Sequence, residues 1–241
     1  MITNRFRYFI ASPFIVSKLF SSGFPYCQTG ISIKKFPNNF SFNRILQMSS
    51  VSDKVSSLLN SLTFDNRNLR ELPVDDSRLG SSRIVPNAVF SLVDPTPVKN
   101  PKLIAYSKEA LNLLGITINN SDSYDDLFTA YFSGNELIKG SSPAAHVYCG
   151  YQFGSFAGQL GDGATMYLGE VLNPITNQRW EIQFKGAGKT PFSRTADGRK
   201  VLRSSVREFL CSEAMFHLNI PTTRAGTCIS SDSTVERDPV R

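Results

Sequence analysis

The sequence predicts an α+β fold, with antiparallel strands followed by one long helix, from three observations in residues 148–218. Five glycines fall within fourteen residues, in the stretch YCGYQFGSFAGQLGDGA. Two strand-like runs joined by the turn NPITNQ follow, and the second run ends at Lys185. An amphipathic segment of helical period then carries Glu208. This order of parts is typical of the small lobe of a kinase-like nucleotide-binding fold.

The two predicted strands cover residues 164–171 and 179–185, and the second alternates apolar and polar residues. A short turn between neighbouring strands makes an antiparallel hairpin. Dinucleotide-binding and Walker-type phosphate loops instead lead from a strand into a helix, and their glycine spacings also fail here. The run from Gly188 to Thr190 imitates the end of a Walker motif, but the first glycine of that motif would fall at Gln183. Both alternatives are therefore disfavoured.

The long helix is predicted over residues 198–218, with Asp197 as its N-cap and Pro221 as its stop signal. Its apolar stripe, expected to face the core, consists of Leu202, Val206, Phe209, Leu210, Ala214 and Leu218. Glu208 lies off that stripe. From spacing alone, Glu208 is either a solvated residue that pairs with Lys200 or Arg203 of its own helix, or an inward-facing partner of Lys185.

Residues 53–147 are predicted to form an N-terminal extension that is mainly helical. Helical spacing of apolar residues predicts one helix in residues 101–114, with Gly115 as its stop. A second helix is expected from Ser123 through Tyr131, because aspartates favour its N-terminal end. The proline-rich stretch 84–99 suits an extended segment.

Residues 1–52 contain six basic residues and no acidic residue. The whole chain has 26 basic and 20 acidic residues, so its net charge of +6 belongs to this segment, and a nucleic-acid surface is not predicted. The composition predicts a disordered transit peptide for mitochondria, or for another organelle. Translation from Met48 would instead give a cytosolic form. No apolar run approaches the length of a membrane span, and the four cysteines and two histidines show no metal-binding spacing.

The wording of three segments resembles the selenoprotein O family of kinase-like proteins. The long stretch FKGAGKTPFSRTADGRKVLRSSVREFLCSEAMFHLNIPTTRAG follows the glycine motif GQLGDGA. Two upstream segments, FDNRNLRELPVD and VFSLVDPTPVKNPKLIAYS, resemble the N-terminal part of the same family. The resemblance covers residues 53–235 and places the nucleotide-binding lobe at 148–235, with 236–241 as a truncated end.

The resemblance implies a protein adenylyltransferase, which transfers AMP from ATP to Ser, Thr or Tyr hydroxyls of other proteins. It implies contacts between ATP and six residues: Gly161, Gly163, Ala164, Lys185, Asp197 and Gly198. Glu208 would hold Lys185. Some family members carry arginine at the position of Ala164, so the contact expected there is mainly through the backbone.

The resemblance also implies what this chain does not supply. The catalytic base and the Mg²⁺ ligands are expected in a larger C-terminal lobe, so no catalytic or metal-binding residue is assigned here. The expected ligands are ATP with magnesium, and the expected partners are protein substrates. The alternative interpretation is a catalytically inactive, truncated nucleotide-binding or interaction module.

Overall fold

The computed structural model describes residues 58–119 and 124–235, together with the backbone of residues 10–18. The predicted end segment 236–241 and the rest of the predicted leader lie outside the described residues. The strands are β1 (Ile10–Lys18), β2 (Thr63–Phe64), β3 (Val74–Asp75), β4 (Phe90–Leu92), β5 (Lys102–Tyr106), β6 (Ala144–His146), β7 (Cys149–Gln152), β8 (Ser155–Gln159), β9 (Thr165–Leu172), β10 (Arg179–Lys185) and β11 (Arg224–Ser231). The helices are α1 (Arg67–Glu71), α2 (Lys108–Asn112), α3 (Asp125–Phe132) and α4 (Leu202–His217).

Nine strands form one mixed sheet. Eight follow the order β3-β4-β6-β9-β10-β1-β11-β5, and β2 pairs with β9 beside them. Among the strand pairs of the described residues, β3 and β4 run parallel and the others antiparallel, and β7 and β8 form a separate hairpin. In the described part of the extension, which was predicted as mainly helical, helical residues 58–60 and the helices α1 to α3 alternate with five strands, β2 to β6. Because β2 and β6 pair with β9, and β5 pairs with β11, the extension and the predicted lobe share one sheet.

The β9–β10 hairpin forms where the sequence predicts it. Strand β10 has the predicted bounds, and β9 begins and ends one residue later than predicted. The side-chain oxygen of Asn173 accepts hydrogen bonds from the N–H groups of Ile175 and Thr176, at 2.9 and 3.0 Å, and so closes the turn. The confirmed hairpin excludes the strand-to-helix phosphate loops.

The two faces of β10 have opposite character. Trp180, Ile182 and Phe184 belong to the main hydrophobic core, which also includes Phe128 and Phe132 of α3. Since side chains alternate along a strand, Glu181, Gln183 and Lys185 lie on the other face. The apolar face packs against α3 of the extension, and the polar face carries Lys185.

Helix α4 begins at Leu202 rather than at residue 198, and Asp197 is not its N-cap. Ala187 pairs with Arg199 through an isolated antiparallel bridge, so the backbone before the helix is extended. The Asp197 carboxylate instead accepts the Arg199 N–H at 2.9 Å. The local turn therefore uses the side chain that the sequence suggested as a cap.

The predicted apolar stripe of α4 is turned towards the protein only in part. Leu202, Val206 and Phe209 are half-buried beside the buried Ser205, whereas Leu210 is 62% exposed and Leu218 is 65% exposed. Glu208 contacts Lys185 of β10, and Glu213 contacts Arg224 of β11. The amphipathic pattern therefore gave half of the inward face and missed the two ion pairs.

The helix predicted within residues 101–114 is also wrong in its first half. Residues 102–106 form strand β5, which pairs with β11 over Thr227 to Ser230. Only the short α2 follows, and its N-cap Ser107 accepts the Ala110 N–H. The second predicted helix is confirmed as α3, whose first residue is Asp125; Ser123 lies outside the described residues.

Residues 1–52 were expected to be disordered, but nine of them form strand β1. It runs between β10 and β11 and pairs with both, antiparallel. Pro13 lies opposite Cys228, and the register shifts immediately afterwards, between Phe14 and Ile15. Such an irregularity is where a strand tolerates proline, which has no N–H to donate. Cleavage of the leader stays a prediction.

Glu213 anchors α4 to the sheet through a nearly buried ion pair. Its two carboxylate oxygens accept hydrogen bonds from the Arg224 guanidinium, each at 2.8 Å. The same carboxylate accepts the Ala225 N–H at 3.1 Å and the Ser107 hydroxyl at 3.2 Å. Burial alone would raise the pKa of Glu213, but the bonds and charge of Arg224 outweigh burial and lower that pKa.

Replacing Val16 by proline is expected to speed hydrogen exchange of the β10 and β11 amides. Val16 pairs with Ile182 on one side and with Arg224 on the other, so a lost N–H weakens the middle of the sheet. The measurement is hydrogen–deuterium exchange of the full chain. Ser17→Ala keeps the backbone donor and serves as the control. Equal exchange in both variants and the wild type would contradict the pairing of β1.

Replacing Glu213 by glutamine is expected to destabilise the fold by about 3–5 kcal/mol at neutral pH, because Arg224 is left buried without its counter-charge. The lowered pKa of the folded state stabilises the protein above the ordinary value of 4.5, and this contribution is lost as pH falls through the folded-state pKa. The deficit in urea unfolding should therefore shrink below about pH 4. The exposed Glu136→Gln is the control, and equal stability of both variants would contradict this account.

Candidate functional site

An ion pair joins the end of β10 to the middle of α4. The Nζ atom of Lys185 lies 3.0 Å from Oε1 of Glu208. The two side chains are 29% and 31% exposed, so solvent and a ligand can reach the pair. Of the two interpretations that spacing left open for Glu208, the structure shows the contact with Lys185.

The glycine segment 161–164 meets Lys185 at the start of β9. Thr165 lies opposite Lys185 in the hairpin register. The Ala164 carbonyl accepts the Gly186 N–H at 2.6 Å. The end of β10 is therefore fixed to the last residue of the LGDGA motif.

Close packing against Phe192 explains why this segment contains glycine. Gly161 has a φ of 142°, and a Cβ atom there would lie 2.4 Å from Cγ of Phe192. A Cβ atom at Gly163 would lie 2.9 Å from the Phe192 carbonyl oxygen. Both glycines are thus required by the fold itself, whether or not a phosphate approaches their backbone.

The loop 190–194 supports the glycine segment with side-chain hydrogen bonds. The Thr190 hydroxyl donates to the Asp162 carbonyl at 3.0 Å, and the Ser193 hydroxyl donates to the Gly163 carbonyl. The Ser193 hydroxyl also accepts the Thr190 N–H at 2.8 Å. Thr190, which imitates the end of a Walker motif in the sequence, is buried and serves as a structural support.

The second predicted contact segment lies across residues 186–188. Gly198 has a φ of 68°, and a Cβ atom there would lie 1.9 Å from the Gly188 carbonyl oxygen. The buried Arg199 guanidinium donates to the carbonyls of Thr96 and Pro97 at 2.9 and 3.3 Å. Burial lowers the pKa of Arg199. Sequence reasoning missed Arg199. By binding carbonyls of the extension, its side chain fixes the segment that contains Asp197 and Gly198.

The structure brings the predicted contact residues into one region around the end of β10. The glycine segment adjoins Gly186, and the 197–200 segment adjoins residues 186–188. A cavity of about 230 Å³ opens beside the glycine segment. Its lining includes Gly161 and Gly163 but not Lys185, Asp197 or Gly198. The cavity and the ion pair thus border the same segment without sharing all the predicted residues.

The five glycines of the opening motif serve two different structures. Gly150, Gly154 and Gly158 lie in or beside the β7–β8 hairpin, and a Cβ atom at each would meet nothing within 4 Å. Phe153 and Gly154 form the hairpin turn with φ values of 52° and 81°. Only Gly161 and Gly163 adjoin the Lys185 region.

A cluster of titratable side chains lies behind the glycine segment. His146 of β6 has Nδ1 at 3.7 Å from the Asp162 carboxylate and Nε2 at 3.7 Å from the Glu181 carboxylate. Burial lowers the pKa of His146 to about 4 and raises that of Glu181 to about 7. Burial also raises the pKa of Asp162 to about 6, partly offset by the positive charge of Lys185. Burial favours the neutral form of all three groups.

No sequence motif marks this cluster. The ring of His146 packs edge-on against Phe90 with centroids 4.6 Å apart. The three members of the cluster, His146, Asp162 and Glu181, come from β6, the glycine segment and β10, so only the sheet order brings them together. The alternation of β10 was the one available signal, since it places Glu181 on the face of Lys185.

Within 58–119 and 124–235, no three His, Cys, Asp or Glu side chains are grouped so that they could hold a metal ion. None of the helices in the described part of the chain has the length and apolar character that a membrane crossing requires.

Comparison with known proteins identifies the family. The family model described as "Protein adenylyltransferase SelO" matches residues 82–240, more than half of the chain. The protein named "Protein adenylyltransferase SelO, mitochondrial" of Mus musculus is 60% identical over 183 residues, which cover 73% of this chain and 27% of that protein. The Homo sapiens protein of the same name gives the same identity and coverage.

Bacterial relatives extend the match. The "Protein nucleotidyltransferase YdiU" of an Azoarcus species is 54% identical over 177 residues, which cover 73% of this chain and 34% of that protein. The chain thus spans about a quarter to a third of the length of these curated relatives. The resemblance seen in the LGDGA, FKG and ADGRK motifs is confirmed, and the chain belongs to the SelO family of protein adenylyltransferases.

Proposed function

We propose that this chain binds ATP with Lys185 as its phosphate-binding cation, and that it forms the nucleotide-holding part of a protein adenylyltransferase. The whole enzyme would transfer AMP to Ser, Thr or Tyr hydroxyls of proteins. The observation that carries the proposal is the 3.0 Å ion pair between Lys185 and Glu208. Family membership supports the reaction class.

The ion pair suits Lys185 for phosphate binding. An ammonium group on a flexible stem loses conformational entropy when it is fixed, and a carboxylate partner fixes it before the ligand arrives. Because Lys185 remains 29% exposed, its ammonium can contact Glu208 and a phosphate oxygen together. A charge-assisted hydrogen bond of this kind contributes about 1.5–3 kcal/mol.

Fewer backbone N–H groups of the glycine segment can contact a phosphate than the motif suggests, because two of them already have hydrogen-bond partners. The Asp162 N–H already donates to the His146 carbonyl at 3.0 Å, and the Gly163 N–H donates to the Gly161 carbonyl at 2.9 Å. The second bond spans only two residues, so exchanging it for a phosphate contact costs little. We therefore assign Gly161, Gly163 and Ala164 to the backbone wall of the site, with Asp197 and Gly198 in the neighbouring wall.

The proposed reaction is nucleophilic substitution at the α-phosphorus of ATP. The hydroxyl oxygen of the protein substrate forms a bond to this phosphorus, the bond to the bridging oxygen of the β-phosphate breaks, and pyrophosphate leaves with the electron pair. The hydroxyl proton passes to a general base. Lys185 and the backbone walls would orient the triphosphate for this attack. The described residues include no metal-holding group, so no step is assigned to magnesium here, and its ligands are expected elsewhere in the enzyme.

The second candidate is a nucleotide-binding or interaction module without turnover. The Lys185–Glu208 ion pair supports this candidate as well, because it provides for binding of a phosphate and assigns no group to the transfer step. Transfer and binding are therefore measured separately.

We propose a mitochondrial location for the protein. Two relatives that are 60% identical carry "mitochondrial" in their names. The acid-free, basic segment 1–52 supports the same location.

Replacing Lys185 by alanine is expected to weaken ATP binding about 10- to 100-fold, because the phosphate loses a charge-assisted hydrogen bond. Glu208→Gln, which leaves Lys185 without its carboxylate, should weaken binding less. Isothermal titration of the full chain with Mg²⁺ and ATP measures both effects. Lys189→Ala removes an exposed lysine four residues away and should leave the affinity unchanged.

Transfer is tested with ATP labelled at the α-phosphate, incubated with the full chain and a protein extract. Label on protein from this ATP, and none from γ-labelled ATP, would show adenylylation. Binding without transfer would support the module. Equal ATP affinity of Lys185→Ala and Lys189→Ala would contradict the proposed site.

A further inference from the structure

We propose that ATP binding beside the glycine segment is coupled to uptake of a proton by the cluster of Asp162, His146 and Glu181. This inference rests on the proposed ATP site and adds a residue that the motif comparison did not assign. Its basis is the placement of three buried or half-buried titratable groups directly behind the glycine segment.

Asp162 stands between the two glycines that pack on Phe192, so its position is fixed by the fold. Its N–H donates to the His146 carbonyl and its own carbonyl accepts the Thr190 hydroxyl. The backbone therefore has little freedom to move the carboxylate away. Three residues later the chain enters β9 opposite Lys185, and the charge of Lys185 acts on the Asp162 carboxyl.

Lys185 makes its ion pair with Glu208 of α4 at 3.0 Å. Burial raises the pKa of the Asp162 carboxyl in the glycine segment, and the positive charge of Lys185 partly offsets this rise. A phosphate that binds Lys185 from the side of the glycine segment approaches a negative charge if Asp162 is ionised. Negative charges on the phosphate and on Asp162 repel one another, so phosphate binding favours the neutral form of Asp162.

His146 connects Asp162 to a second buried carboxyl. Its two ring nitrogens face Asp162 and Glu181 at 3.7 Å each, and Nε2 has no hydrogen-bond partner within the described residues. The Glu181 side chain is only 7% exposed and accepts a hydrogen bond from Gln183. Glu181 lies directly opposite Glu170 of β9, whose side chain is fully buried.

Charged and titratable groups surround the cluster from three strands. From β6 comes His146, from β9 come Tyr167 and Glu170, and from β10 come Arg179, Glu181 and Lys185. Acidic groups predominate around His146, since Arg179 is bound to Asp65 and Glu170. A cluster rich in carboxyls in a buried environment holds a proton more readily when further negative charge arrives.

The direction of the pH dependence follows from the ionisation of Asp162. Its raised pKa of about 6 leaves it mostly ionised at pH 8 in the free protein. A bound phosphate raises that pKa further, so binding takes up protons and becomes tighter as pH falls. For each pH unit by which ATP raises the pKa, affinity increases up to about tenfold between pH 8 and pH 5.

The test compares ATP affinity of the full chain and of Asp162→Asn from pH 8 to pH 5. Asparagine is neutral at all pH values, so the variant should bind ATP about tenfold more tightly than the wild type at pH 8 and equally at pH 5. Because the ionisation of ATP affects both proteins equally, the ratio of their affinities at each pH reports only the protein groups. The exposed Asp126→Asn is the matched control and should follow the wild type at every pH.

Glu181→Gln provides a second, independent variant. With a pKa of about 7, Glu181 is neutral below pH 6 and ionised above pH 7. The variant should therefore bind ATP as the wild type does below pH 6, and more tightly than the wild type above pH 7. Thermal unfolding of each variant confirms that it is folded, and the Glu181 variant decides the matter if Asp162→Asn does not fold.

The outcomes separate this inference from the proposed function. If the wild type binds ATP and its affinity remains parallel to that of Asp162→Asn across the pH range, the proton coupling is overturned and ATP binding stands. If the wild type binds no ATP at any pH, the proposed function is overturned as well.

Discussion

The contact between Lys185 and Glu208 determines how the main parts of the structure meet. Lys185 ends a strand whose apolar face is committed to the core, so its ammonium lies on the polar face. Glu208 reaches it from α4 at 3.0 Å, and Glu213 reaches Arg224 one and a half turns later. The two carboxylates lie about 140° apart around the helix axis, and their ion pairs fix its rotation. Leu202, Val206 and Phe209 are half-buried in this orientation, whereas Leu210 is 62% exposed.

The region around Lys185 is held by the fold before any ligand is present. The glycine segment is enclosed between Phe192 and the end of β10, and small side chains of the 190–194 loop bind its carbonyls. Arg199 ties the 197–200 segment to the carbonyls of the extension. Preorganisation of this kind reduces the entropy lost on binding. It also means that replacing Gly161 or Gly163 would disturb the fold, so such variants cannot isolate a nucleotide contact.

Local patterns predicted the parts of this fold that depend on local geometry. The alternation in residues 179–185 gave β10 its exact bounds, because one face of that strand is buried and the other is not. The first half of the helix predicted within residues 101–114 is a strand, because apolar spacing in a short window fits a strand as well and β11 supplies the backbone partner. The face of α4 was predicted only in part: Leu202, Val206 and Phe209 are half-buried, but Leu210, Ala214 and Leu218 are exposed.

Motif comparison and long-range contacts contributed differently to the site. The FKG and REF motifs located Lys185 and Glu208, whose contact the structure shows. His146, Asp162 and Glu181 come together only through the order β6-β9-β10, which no local spacing records. Their roles, like the contacts of ATP with the six motif residues, stay predictions.

The most direct measurement of the central claim is covalent labelling with an acyl-phosphate derivative of ATP, which transfers its acyl group to a lysine amine beside the bound phosphates. The labelled residue is identified by mass spectrometry of the full chain. The account predicts label on Lys185 that free ATP prevents. Label on Lys189 or Lys200 without Lys185, or label on Lys185 that ATP does not prevent, would contradict it.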